Sequence, residues 1–388
     1  MYSANSYLFV YLLKRYHIIL QHRIAVKVIL HSFKWNIILI GLTQSWLKNL
    51  WRTGMKMNME IYGQFLLSSQ INYTCTYLAD HLESLNHDNV QYFLAHSSVR
   101  PRSVWKAIRH TFVGSSQGYL LFDDTVLSKV HSHKIELVRS QWSGNAHGVI
   151  KGIGVVNCVY FNAMTHQFWL LDYRIFAPDT DGKTKIEHVL DMLAVVKQRG
   201  IAYGCVLMDS WYATTSIMKY IIGEQKLFYC PLKTNRKVDD SGGQHPYVQI
   251  QELQWSDTEL REGKLIKVHK MAADTRFKLF RVVLTTERTE YIVTNDLTQQ
   301  STQAAEEQSG IRWHVEQFHR EDKQTTGIEC CQCRKQRSQR NHIGIAMLVW
   351  TRLKTMAYQM KKTVYQLKFG QLDDYLHQQL DHPTLSFA

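Results

Sequence analysis

Three carboxylates far apart in the chain are the residues best placed to do chemistry. The apolar run YLLFDDT (119–125) ends on acids, and YGCVLMDSWY (203–212) leads into Asp209. Catalytic groups collect at strand ends in α/β sheets, so Asp124 and Asp209 are expected side by side at one edge. A third acid, Glu316, lies on a predicted late helix, with Arg312 four residues before it and Lys323 seven after. That spacing puts all three on one helical face, beside an apolar stripe of Ile311, Val315 and Phe318. Convergent oxygen donors suit Mg²⁺, with Mn²⁺ as a substitute. Two such ions about 4 Å apart activate a water or a 3′-hydroxyl and stabilise the leaving oxygen in phosphodiester chemistry. A solvated face of ion pairs is the plain reading of Arg312 and Glu316 alone; the two strand-end aspartates weigh against it.

The elements that must position these acids follow from periodicity. VIKGIGVVNCVYF (149–161) and HQFWLLDYRIF (166–176) read as strands, and KTKIEHVLDMLAVVKQRG (183–200) as an amphipathic helix closed by Gly200. Strands, a helix and a further strand predict an α/β core with a mixed sheet. Residues 233–300 break the alternation with the polar turn DDSGGQHP and short strands such as KLIKVHK, FKLFRVVLTT and EYIVTND, as a β-rich insertion would. A helix over about 303–324 then returns to the core. From 59 to about 112 the spacing is helical, and Arg100, Arg102, Lys106 and Arg109 ride with Trp105 in its second half. A helix-turn-helix DNA reader and a plain helical cap fit this stretch equally well.

Charge points to a polyanionic partner. The 46 Lys and Arg against 33 Asp and Glu give +13, and residues 1–58 hold eight of the basic residues and no acid. Residues 310–365 hold eleven Lys and Arg against four acids, the pattern of a DNA-contacting face. Seven cysteines, an odd number mostly in apolar runs, argue against a secreted disulfide framework. The run Cys330-Cys331-Gln-Cys333 with His342 invites a zinc reading, but adjacent cysteines with no CxxC partner do not suit one ion. Reduced thiols are expected.

The motifs together resemble bacterial insertion-sequence transposases of the DDE superfamily, in the branch signed Tyr-x2-Arg-x3-Glu-x6-Lys. Arg312, Glu316 and Lys323 match that spacing, and Ser309 stands where the branch has Tyr. LFDDTVLSK, VLMDSWY and RWHVEQFHREDK resemble the three acidic regions in order, and GIECCQCRKQRSQRNHIGIAMLVW resembles the helical tail behind them. The resemblance covers roughly residues 59 to 365. It implies a ribonuclease H-like core and an enzyme that cleaves transposon ends and transfers strands to target DNA, with two metal ions held by Asp124, Asp209 and Glu316. Arg312, Lys323 and Arg320 are the expected DNA contacts. Trp255, the single Trp of the insertion, is a candidate for stacking on a displaced base, with an apolar anchor as its other reading. Strand alternation lets only one of Asp123 and Asp124 face the site, and the family pattern of Asp before Thr selects Asp124.

The expected organisation is an N-terminal extension over 1–57, upstream of Met59 and loosely packed; a helical, DNA-binding domain over 58–115; the first part of the core over 116–232; the insertion over 233–300; the glutamate helix and a basic helical tail over 301–365; and a C-terminal tail over 366–388. No apolar run reaches the roughly 18 residues of a membrane span, so stable membrane association is not expected. The implied partners are terminal inverted repeats, target DNA and a second copy in a synaptic homodimer, in the cytoplasm at the nucleoid. A catalytically inactive, transposase-derived DNA-binding protein is the alternative.

Overall fold

The computed structural model describes residues 56–132, 134–285 and 288–381. The extension expected over 1–57 therefore lies, but for its last two residues, outside the described residues. Four short helices open the described chain: α1 (Met59–Ser68), α2 (Cys75–Asp80), α3 (His87–His96) and α4 (Arg102–Ile108). The first three start at side-chain caps, from Asn58, Thr74 and Asn86.

A large mixed sheet follows. β1 (Tyr119–Ser128) runs antiparallel to β3 (Gly148–Asn162), whose early residues pair with β2 (Arg139–Ser143) and later ones with β4 (Gln167–Ile175). Residues 152–162 of β3 are all buried, the near-continuous burial of a strand covered on both faces. On the other side of β1 lie β5 (Cys205–Met208) and β6 (Leu227–Leu232), both parallel to it. The crossovers are α5 (Lys185–Gln198) and α6 (Thr215–Gly223). Helix α5 starts at a capping box between Thr184 and Glu187, buries Val189, Met192, Leu193 and Val196, and ends before Gly200 at φ 64°. Antiparallel strands continued by parallel ones, with helices on both faces, are compatible with the expected ribonuclease H-like core.

The β-rich segment holds β7 (Lys237–Asp239), β8 (Val248–Gln249), helix α7 (Asp257–Glu262), β9 (Lys264–Val268), β10 (Phe277–Val283) and β11 (Thr289–Thr294). Because β11 pairs antiparallel with β6, these strands lengthen the main sheet. The helix expected over 303–324 is two helices, α8 (Thr302–Gly310) and α9 (Trp313–Thr326). Gly310 weakens the helix there, and the chain tightens through i→i−3 bonds from Ile311, Arg312 and His314 to Gln308, Ser309 and Ile311.

The longest helix among the described residues, α10 (Gln336–Met360), is followed by α11 (Val364–Phe369) and α12 (Asp373–Asp381). Ile343, Ala346, Met347 and Trp350 of α10 share one apolar cluster with Tyr62, Leu66, Val90 and Leu94 of α1 and α3. The N-terminal helices thus sit on the core as a cap. Part of the expected C-terminal tail is also core: Lys368 is fully buried and donates to the carbonyls of Leu66 (2.8 Å) and Leu67 (2.7 Å), at the negative end of α1. Nor does the basic segment form one face. Lys354 is buried against Glu321 at 3.0 Å, and Lys335 pairs with Glu136 at 3.0 Å.

The two sides of the sheet carry separate clusters. Leu121 of β1 and Cys205 and Leu207 of β5 face α9 and α10, whereas Leu120, Phe122, Val206 and Met208 face α5 and α6. Among the described residues no helix is long and apolar enough to cross a membrane.

Candidate active site

β1 and β5 are in parallel register, Phe122 opposite Met208, so Asp123 and Asp209 are the next residues of neighbouring strands. Alternation puts both on the side of Leu121 and Leu207, where α9 carries Glu316. Asp123, Asp124, Asp209 and Glu316 all line one cavity of about 1110 Å³. Arg312 links two of them, its Nη1 lying 3.0 Å from Glu316 Oε1 and 3.9 Å from Asp123 Oδ2. Burial and the adjacent Asp124 push the Asp123 carboxyl up to about 7; Arg312 opposes this and Asp209 adds to it. Across from Asp123 on β3 stands Asn157, whose Nδ2 donates to His319 Nε2 at 2.9 Å. Burial, helped by Lys323, pushes this imidazole down to about 3, so it stays neutral and accepts that bond.

Asp124 lines the same cavity but is held by different partners. Its carboxylate takes Lys185 Nζ of α5 at 2.6 Å and the hydroxyl of Tyr212 at 2.5 Å, with only 17% of the Asp124 side chain and 13% of the Lys185 side chain exposed. Burial and then Asp124 raise the Tyr212 hydroxyl well above its ordinary range, so it remains a donor. The selection of Asp124 from the Asp-before-Thr pattern therefore meets a physical objection. A one-residue step along a strand reverses the face, and it is Asp123 that shares a side with Asp209 and Glu316.

The expected DNA contacts divide in the same way. Arg320 is exposed, lines the cavity and lies over the Trp313 ring at 5.8 Å. Lys323 lines it too, but its ammonium is held by the Val126 carbonyl at 2.9 Å and by Glu329 at 3.1 Å, tying α9 to β1. Trp255 is not among the cavity residues. It packs against the cluster under α5 and α6, beside Lys264, as an apolar anchor does. Two Trp do line the cavity, Trp142 at 64% and Trp211 at 47% exposure, whereas Tyr212 is buried.

Sequence reasoning missed Lys185, Asn157 and His319, and took Tyr212 as packing behind the site rather than as a donor to Asp124. Lys185 left one signal, since a cation in the first turn of a helix opposes the helix dipole and implies a compensating anion. Among the remaining histidines, His314 stacks on Phe161 and Phe168 and His188 is buried, both as structural residues. The thiols of Cys75 and Cys331 both meet Cys333, whose own thiol is pushed down by their hydrogen bonds. All seven cysteines are free.

Whether these acids suit a metal has two answers. The donors are all carboxylate oxygens, and burial with the adjacent Asp124 pushes Asp123 towards its neutral form, which a cation would oppose. Among the described residues, however, no three His, Cys, Asp or Glu stand close enough to hold an ion as they lie. Asp124 is engaged by Lys185, and Glu316 by Arg312. The donor set fits divalent cations in kind; to hold one, Glu316 would have to exchange Arg312 for the ion.

Comparison with known proteins bears on the same span. Among curated proteins none matches the chain. The family model of the transposase DDE domain matches residues 116–352, more than half of the chain, from just before β1 through most of α10. With its acids on β1, after β5 and on α9, the chain belongs to the transposase DDE domain family.

Proposed function

We propose that this transposase cuts DNA at the ends of its mobile element and transfers the freed strands to target DNA, with Asp123, Asp209 and Glu316 holding divalent metal. One observation carries the reading: acids from three elements line one cavity, and Asp123, buried beside Asp124, is a carboxylate that a nearby cation would hold in its charged form. Bound there, Mg²⁺ would activate the attacking water or 3′-hydroxyl and stabilise the leaving oxygen. The chain's own residues do the rest. Arg312 keeps Glu316 and Asp123 from repelling each other while the ion is away. Lys185 and Tyr212 fix the strand end by clamping Asp124, which makes Asp124 a positioning residue. Arg320 and Trp211, exposed on the cavity wall, are placed to meet a phosphate and a base. Two such chains acting at paired element ends would form the synaptic homodimer.

The test is Mg²⁺-dependent nicking of a labelled duplex bearing the element's terminal repeats. Cleavage by the unaltered protein, abolished by EDTA and by Asp209→Asn with DNA binding retained, is the expected result. Binding without cleavage in either Mg²⁺ or Mn²⁺ would instead establish a catalytically inactive DNA-binding protein.

A further inference from the structure

A second cavity, of about 510 Å³, opens beside the acidic one and shares Ser210, Trp211 and Lys233 with it. Its character is opposite. Lys233, Arg236, Lys237, His269 and Lys270 line it, and no carboxylate does. The cations come from the loop after β6, from β7 and from the turn after β9, so the β-rich segment supplies most of the wall. Among the described residues, Lys233, Arg236, Lys237 and Lys270 have no acid within salt-bridge distance.

Arg236 is the sharpest feature. Its Nε and Nη2 are shielded from solvent and have no hydrogen-bond partner, and burial lowers the stability of its charge. A guanidinium carries five donors in a fixed fork, and leaving them shielded without an acceptor is costly. Arg236 lines the cavity, and a planar guanidinium fork suits a phosphate. The amino end of α6, capped by Thr214, opens on the same space and adds its positive dipole.

We propose that this cavity holds backbone phosphates of the DNA strand running on from the acidic cavity, with Trp211 at the junction stacking on one base. A strand is favoured over a small free anion because the two cavities border the same three residues, Ser210, Trp211 and Lys233. Acids lie where a metal is needed and cations where phosphates must be neutralised. The proposal rests on the DNA-cutting reading of the acidic site.

The experiment uses the full chain and a fluorescent duplex with a single-stranded extension, titrated by anisotropy between 50 and 200 mM KCl. The double variant Arg236→Gln/Lys270→Gln is expected to bind about ten-fold more weakly at the higher salt. Its slope of log K against log salt should fall by about 0.7 to 0.9 for each phosphate it no longer neutralises. Its melting temperature should hold or rise, because a half-buried cation without an acid partner is gone. Arg236→Lys keeps the charge and should keep the slope. Asp209→Asn should keep both affinity and slope while losing Mg²⁺-dependent cleavage. An unchanged slope in the double variant, with DNA bound normally by the unaltered protein, overturns this proposal and leaves the function of the acidic site standing. Competition by millimolar inorganic phosphate with no change in DNA slope assigns the cavity to a free anion and overturns it too. Failure of the unaltered protein to bind DNA at all overturns both readings.

Discussion

Replacing Asp123 and Asp124 by Asn, one at a time, sets the two roles against each other, and the structure assigns them opposite signs of stability. Asp123 has its folded carboxyl raised to about 7 from 3.8. The native state therefore keeps, between pH 4 and 7, a proton that the unfolded chain has released. The stability tied to that proton is whole below about pH 4 and is lost as pH rises to about 7. A rise of this size corresponds to about 4 kcal/mol, and partial solvent access reduces this to roughly 2 kcal/mol. Asp123→Asn should accordingly match the unaltered protein at pH 4 and exceed it by roughly 2 kcal/mol at pH 7.5, a rise of about 4 °C in melting temperature for a chain of this size. Asp124→Asn breaks a largely buried pair and leaves Lys185 without its partner, which costs about 3 kcal/mol at neutral pH. Thermal melts at pH 4, 6 and 7.5, run with and without Mg²⁺, read both effects, and nicking of end DNA reads activity. Asp123→Asn should lose cleavage while gaining stability, and added Mg²⁺ should narrow its lead by neutralising the native carboxylate. If Asp123→Asn cleaves normally, or Asp124→Asn is the variant that gains stability, the face assignment is wrong.

Further outcomes follow from individual contacts. Lys323→Ala should lose about 1–3 kcal/mol of stability, because its ammonium ties Val126 and Glu329 together; denaturant titration measures this, and a fall in DNA affinity with unchanged stability would contradict it. Lys354→Met should cost about 3–5 kcal/mol by leaving Glu321 buried with only Trp350 and Gln317 as donors, read by the shift of the urea midpoint. Gly327 ends α9 at φ 66° with the Tyr73 ring 2.4 Å from where a Cβ would stand, so Gly327→Ala should lower the melting temperature by several degrees. Trp255→Ala should destabilise by about 3 kcal/mol with DNA affinity per folded molecule unchanged, whereas Trp211→Ala should do the reverse in an anisotropy assay.

How much of this was legible in the sequence depends on the range of the physics. Periodicity and local turn chemistry determined the strands read over 119–125 and 203–212 and the helix read over 183–200 with its stop at Gly200, because these depend on neighbours within a few residues. The i, i+4 pairing of Arg312 with Glu316 was equally local. The run DDT also showed that one acid of two faces the site, but not which, since that parity is set by the register of β1 on β5 and by which side α9 packs. The fates of the cations were decided only in three dimensions. Lys323 and Lys354 read as members of a basic face, yet their partners Val126, Glu329 and Glu321 reach them through the fold. Lys185 found Asp124 sixty-one residues away, and the orphaned guanidinium of Arg236 became visible only once β7 and β9 had closed around it. Sequence spacing fixes which residues can share a face of one element. Only packing decides what that face meets and how far each charge stands from water.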